Sequence, residues 1–156
     1  QDNLISWLDW GRLDQYQEIH DFFRYMIAFR KKYAILRKNT KIATSNLPEI
    51  SIHNGAPWKN GTDYTTRLIG VMYAGRDEKD TRDEYVFYTM NAYWEPLKMQ
   101  LPDLPDGYEW HICINTAVEY KDGTDMETYT EFIGKKLLTI PPRTVIVLDA
   151  QKKEIM

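Results

Sequence analysis

Three histidines, one cysteine and a surplus of acids are the side chains from which this 156-residue chain could build a metal centre, a nucleophile or an acid–base pair. His20, His53 and His111 lie far apart in sequence, and none sits in the HExxH spacing that sets two imidazoles on one helix face. Cys113 is alone, so neither a CxxC pair nor an internal disulfide can form. There is no GxSxG elbow to expose a serine and no glycine-rich loop to cradle a phosphate. Asp77, Glu78, Asp80, Asp83 and Glu84 crowd into "DEKDTRDE", which reads as a solvated hairpin loop. The expected catalytic set is therefore empty, with no metal centre and no cofactor.

Tryptophan offers a different chemistry. An exposed indole on a β-sandwich can stack against the apolar face of a sugar ring, and Trp58, Trp94 and Trp110 are the candidates for a carbohydrate-binding module. Core or loop-anchoring roles compete with that reading. Trp110 alternates with apolar residues and is expected to face the core, whereas Trp94 stands beside Glu95-Pro96 at a strand end. Trp58 lies in a long loop and is the best placed for exposure. Asn60-Gly61-Thr62 matches a glycosylation sequon, a pattern short enough to arise by chance.

The elements that would position these residues come in two kinds. From Asp14 to Lys38 the pattern is helical, with Asp14 and Gln17 spaced as a capping box. Ile19, Phe22, Phe23, Met26, Arg30 and Tyr33 follow helical spacing with one basic interruption, and Tyr25, Ile27, Phe29, Ala34 and Leu36 widen the apolar stripe. A helix this apolar requires neighbours on more than one side. Its basic end, Arg30, Lys31, Lys32, Arg37 and Lys38, suits the negative pole of the helix dipole.

After Asn39 the pattern changes to short alternating runs. "EISIH", "TRLIGVMYAG", "EYVFYTMNAY", "LKMQLP", "YEWHICINT", "KLLTI" and "TVIVLDA" are strand candidates. The second and third form a hairpin, and Tyr108, Trp110, Ile112 and Ile114 are expected on one face of the fifth. About seven such strands predict an antiparallel sandwich with Greek-key connections, preceded by one long helix. A formal net charge of −3 gives no electrostatic case for nucleic acid or an anionic membrane. No apolar run approaches the roughly 18 residues of a membrane span. The single cysteine leaves the compartment open, with the cytoplasm favoured.

Several of these stretches resemble one family in the same order. "QDNLISWLDW" at the start resembles the segment after the eighth barrel strand in isoamylase-type debranching enzymes of the α-amylase superfamily (glycoside hydrolase family thirteen). "AFRKKYAILR" resembles the end of the helix that follows. "EISIHNGAPW" is similar to the family's D-I-x-W-H-G segment, with Ile52 where a tryptophan is usual. "NAYWEPLKMQLPDLPDGYEWHICINTA" and "PPRTVIVLDA" are similar to its later strands, with Thr144 in place of a serine. The resemblance runs through nearly the whole chain.

It implies that residues 1–40 are the tail of a (β/α)8 catalytic barrel and that residues 46–156 are a C-terminal β-sandwich. The absence of a starting methionine is then read as the mark of a fragment. The family cleaves α-1,6 branch linkages in glycogen, starch or pullulan by a retaining mechanism, in which two carboxyl groups stand about 5–5.5 Å apart. Those acids, and a third that contacts the sugar, belong to earlier barrel strands, so none maps onto this chain. The implied partners are the upstream barrel and, through it, an α-glucan; trehalose-type or branching chemistry is the related alternative. Gln1, Asp2 and Asn3 would occupy a loop at the active-site face. There an amide–acid–amide cluster could bond sugar hydroxyls or, as the stronger expectation, brace neighbouring loops. Without the barrel, several of Phe22, Tyr25, Phe29 and Tyr33 are expected to lack their normal partners, and either to drive self-association through the helix or to leave a helix that folds over the sandwich or frays.

Overall fold

A computed structural model of the chain describes residues 2–37, 40–59, 61, 63–77, 79, 82–118, 131–132 and 136–153. Gln1, Lys38, Asn60, Thr62, Glu78 and Asp80 lie outside these. A 3-10 turn at Trp10–Arg12 leads into helix α1 (Gln17–Lys32) and a second 3-10 turn at Ala34–Leu36. Eight strands follow: β1 (Ile50–His53), β2 (Leu68–Arg76), β3 (Asp83–Asn91), β4 (Leu97–Gln100), β5 (Tyr108–Asn115), β6 (Glu131–Phe132), β7 (Leu137–Ile140) and β8 (Thr144–Lys152).

The fold is a mainly β, antiparallel sandwich. Six strands form one sheet in the order β1-β2-β3-β8-β5-β6, and β4 pairs with β7 in a small second sheet. After β3 the chain crosses to β4, returns for β5 and β6, crosses again to β7, and comes back as β8 between β3 and β5. That late insertion is the Greek-key feature expected from the strand count. Met72, Tyr85, Phe87, Trp110 and Leu148 of the large sheet face Met99 and Ile140 of the small one. The opposite face receives α1, whose Phe29 sits with the following Tyr33 on Val86, Cys113, Ile114 and Val147. Central strands covered on both faces read as continuous apolar runs, "YVF" and "VIVL", whereas β4 and β7 alternate.

Four local expectations are corrected. Helix α1 begins at Gln17 with Tyr16 as its uncapped N-cap, so no Asp14 capping box forms. The Gln17 amide instead donates to the Asp21 carboxylate one turn on, at 3.1 Å. The helix also stops earlier than predicted, because Tyr33 is extended (φ −103°, ψ 116°) and turns its ring onto the sheet. In β5 the register shifts between Ile112 and Ile114, and this bulge at Cys113 moves Ile114 to the helix side, away from Trp110 and Ile112. Finally, Asp83 joins β3 rather than the hairpin loop, and Glu84 beside it is not solvated. Glu84 is buried and accepts the Ile35 N–H at 3.1 Å, and Asp83 accepts bonds from Thr44 and Tyr85. The chain beyond the helix presses so closely on β2 that a Cβ at Gly75 would lie 2.3 Å from Thr40 Oγ1, which explains a glycine inside a strand.

Candidate functional site

The buried titratable groups are committed to structure. His53 is fully buried, and its Nδ1 accepts the Trp58 N–H at 2.9 Å. In the neutral ring the proton must then sit on Nε2, which donates to Ser51 Oγ at 2.9 Å. The histidine therefore cannot take a proton from Ser51, and the pair is no nucleophile–base dyad. Burial holds the His53 pKa below its usual value, which keeps the ring neutral. Cys113 is buried, and desolvation pushes its thiol well up, away from the reactive thiolate. His20 stands beside the Asp21 carboxylate and His111 beside that of Glu109. Among the described residues no group of three metal-ligating side chains comes together.

A hollow of about 490 Å³ at the end of α1 is lined by Lys32, Tyr33, Asp83, Glu84 and Asp149 among others. Its acids are already occupied as acceptors. Asp149 takes the Tyr33 O–H and, at 3.1 Å, the Gln151 amide, with Lys32 Nζ 3.7 Å away. Burial pushes the Tyr33 phenol well up, so it remains a donor. Carboxylates engaged in this way anchor the helix and the turn after it to the sheet.

The predicted tryptophans separate. Trp110 is 6% exposed and donates its indole N–H to Pro102 O, so it belongs to the core as expected. Trp58 and Trp94 are 49% and 65% exposed. A solvent-facing row of all three does not exist, because Trp110 is buried, but the segments carrying the two exposed tryptophans leave the same end of the sheet. His53 at the end of β1 pairs with Gly70, and Leu68 at the start of β2 pairs with Asn91 at the end of β3. The segments carrying Trp58, Arg67 and Trp94 thus all meet that end. Trp94 rests on Tyr93, with ring centroids 4.1 Å apart, and the Arg67 guanidinium lies 4.1 Å from the Tyr93 ring. Sequence reasoning passed over Arg67 and Tyr93; the aromatic doublet "YW" was the available signal for Tyr93.

Asp2 and Asn3 brace their own segment. Asp2 accepts the Trp7 indole N–H, and Asn3 Oδ1 accepts the Ile5 N–H at 3.0 Å. Around them Leu4, Ile5, Trp7, Leu8 and Trp10 are exposed, and this apolar surface continues along α1 through Ile19, Phe23 and Ile27. The helix faces differ from expectation. Phe29 and Tyr33 are buried, and Phe22 and Tyr25 pack half-buried against the sheet. Ile19, Phe23 and Ile27, spaced i, i+4, i+8, form a second apolar ridge facing solvent.

No protein-family model matches the chain. Two curated relatives do: the isoamylase of Pseudomonas amyloderamosa and the isoamylase of Pseudomonas sp. (strain SMP1). Each is 25% identical over 126 residues, a match covering 78% of this chain and 16% of the relative's length. The similarity is distant. It makes the chain a remote relative of one part of isoamylase, and the chain spans only that small share of the proteins it matches.

Proposed function

We propose that this chain is the C-terminal part of a glycoside hydrolase that opens α-1,6 branch linkages in glycogen- or starch-type glucans. In this reading residues 1–40 close a catalytic barrel, and residues 46–156 form a sandwich that braces it and supplies no catalytic acid. The observation that carries the proposal is the pairing of the isoamylase match with the exposed ridge from Leu4 to Ile27. A surface this apolar is what a helix requires when a second layer covers it. The occupied acids of the helix–sheet hollow agree with a bracing role.

Incubating the isolated chain with pullulan, glycogen and maltooligosaccharides tests the reading. No release of reducing ends is expected. Release that scales with protein concentration, and exceeds a heat-killed control, overturns it. A second reading, an accessory module with its own carbohydrate affinity, is favoured by the exposure of Trp58 and Trp94 and weakened by the burial of Trp110.

A further inference from the structure

We infer that the sheet end carrying Trp58, Arg67, Tyr93 and Trp94 is a binding site for a linear α-1,4-linked glucose chain, separate from the apolar ridge of the helix. Two of the exposed apolar surfaces among the described residues differ in composition. The ridge mixes leucine, isoleucine, phenylalanine and tryptophan in one continuous band, the composition of a surface that another protein layer covers. Along the loops between β1 and β2 and between β3 and β4, the exposed large apolar residues are Trp58, Tyr64 and Trp94, all aromatic. They are flanked by Lys59, Arg67 and Glu95. Flat rings flanked by charged groups complement a sugar, whose C–H face is apolar and whose rim is hydroxyl.

The two tryptophans are also held before any ligand arrives. Trp94 rests on Tyr93 with the two rings tilted by 36°, and Arg67 lies over that pair, 4.1 Å from the Tyr93 ring and 5.9 Å from the Trp94 ring. Trp58 has a left-handed backbone (φ 63°), which a bulky residue adopts only when its surroundings impose it. The imposing contacts are the bond from its N–H to buried His53 and the ring–ring contact at 5.1 Å. Rings fixed from behind lose little freedom on binding, so even a shallow site gains affinity. Arg67 is a positioning residue here: its guanidinium fixes the Tyr93–Trp94 stack.

The α-linkage rests on the debranching reading, so the test separates the two. The full chain, labelled at its tryptophan indoles, is titrated with maltoheptaose and, in parallel, with cellohexaose. Shifts of the Trp58 and Trp94 indole signals with maltoheptaose are expected, while the signal of buried Trp110 stays in place and reports an intact fold. Trp94→Ala should weaken binding about tenfold or more. Trp58→Asn, which tolerates the left-handed backbone, should weaken it as well, and Arg67→Gln by less. No saturable shift with either glucan, or binding unchanged in both tryptophan variants, overturns the site. Binding of cellohexaose alone overturns the α-glucan assignment, and shifts confined to Trp7 and Trp10 move sugar contact to the other surface and overturn the proposal. The reducing-end assay reads the debranching proposal independently of all these outcomes.

Discussion

His53 sits where a functional histidine is often sought, yet its two nitrogens are used to shape a loop. Because burial lowers its pKa in the folded state, the unfolded chain binds the proton more readily. Its contribution to stability is therefore complete above the ordinary value of 6.5 and is lost as pH falls through 6.5 towards the lower folded value. Urea midpoints measured from pH 8 to pH 5 should fall across that window, and His53→Gln should flatten the decline. An equal slope in the variant would assign the pH dependence elsewhere. The Tyr33–Asp149 bond is the second residue-scale device. Tyr33→Phe leaves a fully buried carboxylate short of one donor and is expected to cost about 1–3 kcal/mol in denaturant unfolding. Neither role was legible in advance. A histidine ending a short strand and an acid inside "TVIVLDA" show only that something polar is buried; the partners are 5 and 116 residues away.

At the scale of elements, what could be read was what periodicity encodes. The helix, the β2–β3 hairpin and the alternating strands followed from the spacing of apolar residues. Boundaries and faces did not, because tertiary contacts decide them. Tyr33 leaves the helix to reach the sheet, the bulge at Cys113 turns Ile114 over, and Glu84 enters the interior because Ile35 offers it an N–H. The helix shows the limit most clearly: its stripe was recognisably too wide for one neighbour, but the pattern could not say which half met the sandwich. With that settled, two phenylalanines about one and two-thirds turns apart should behave oppositely. Phe29→Ala empties a packed position against Val86 and Val147 and is expected to cost about 3–5 kcal/mol. Phe23→Ala, on the solvent-facing ridge, should change the stability of the isolated chain by no more than about 0.5 kcal/mol. Similar losses at both positions would mean that the helix is seated differently.

For the molecule as a whole, the sandwich accounts for its own core, and the ridge from Leu4 to Ile27 is left over. The aromatic sheet end was legible through Trp58 and Trp94 as types; its rigidity was not, because Arg67 and His53 come from other segments. The ridge was anticipated only in kind, since the residues named for it turned out to pack on the sheet. Covering one large apolar side chain is worth roughly 1.5–3 kcal/mol, and Trp7, Leu8, Trp10, Ile19, Phe23 and Ile27 all lie open on this surface. If an upstream layer covers them in a longer protein, the isolated chain should seek a substitute, and the available one is a second copy. Concentration-dependent self-association is therefore expected in sedimentation velocity. Placing the charges at Phe22 and Phe29 instead would injure the fold, because both pack against the sheet. Phe23→Glu combined with Ile27→Glu places like charges on the ridge and should return the chain to a monomer, with an unchanged far-ultraviolet spectrum and urea midpoint. A chain that stays monomeric at high concentration, or an oligomer indifferent to both glutamates, would remove the ridge as the associating surface. In the longer protein the same two substitutions should lower thermal stability while leaving the sandwich core intact. That combination distinguishes a covered interface from an exposed patch that nothing meets.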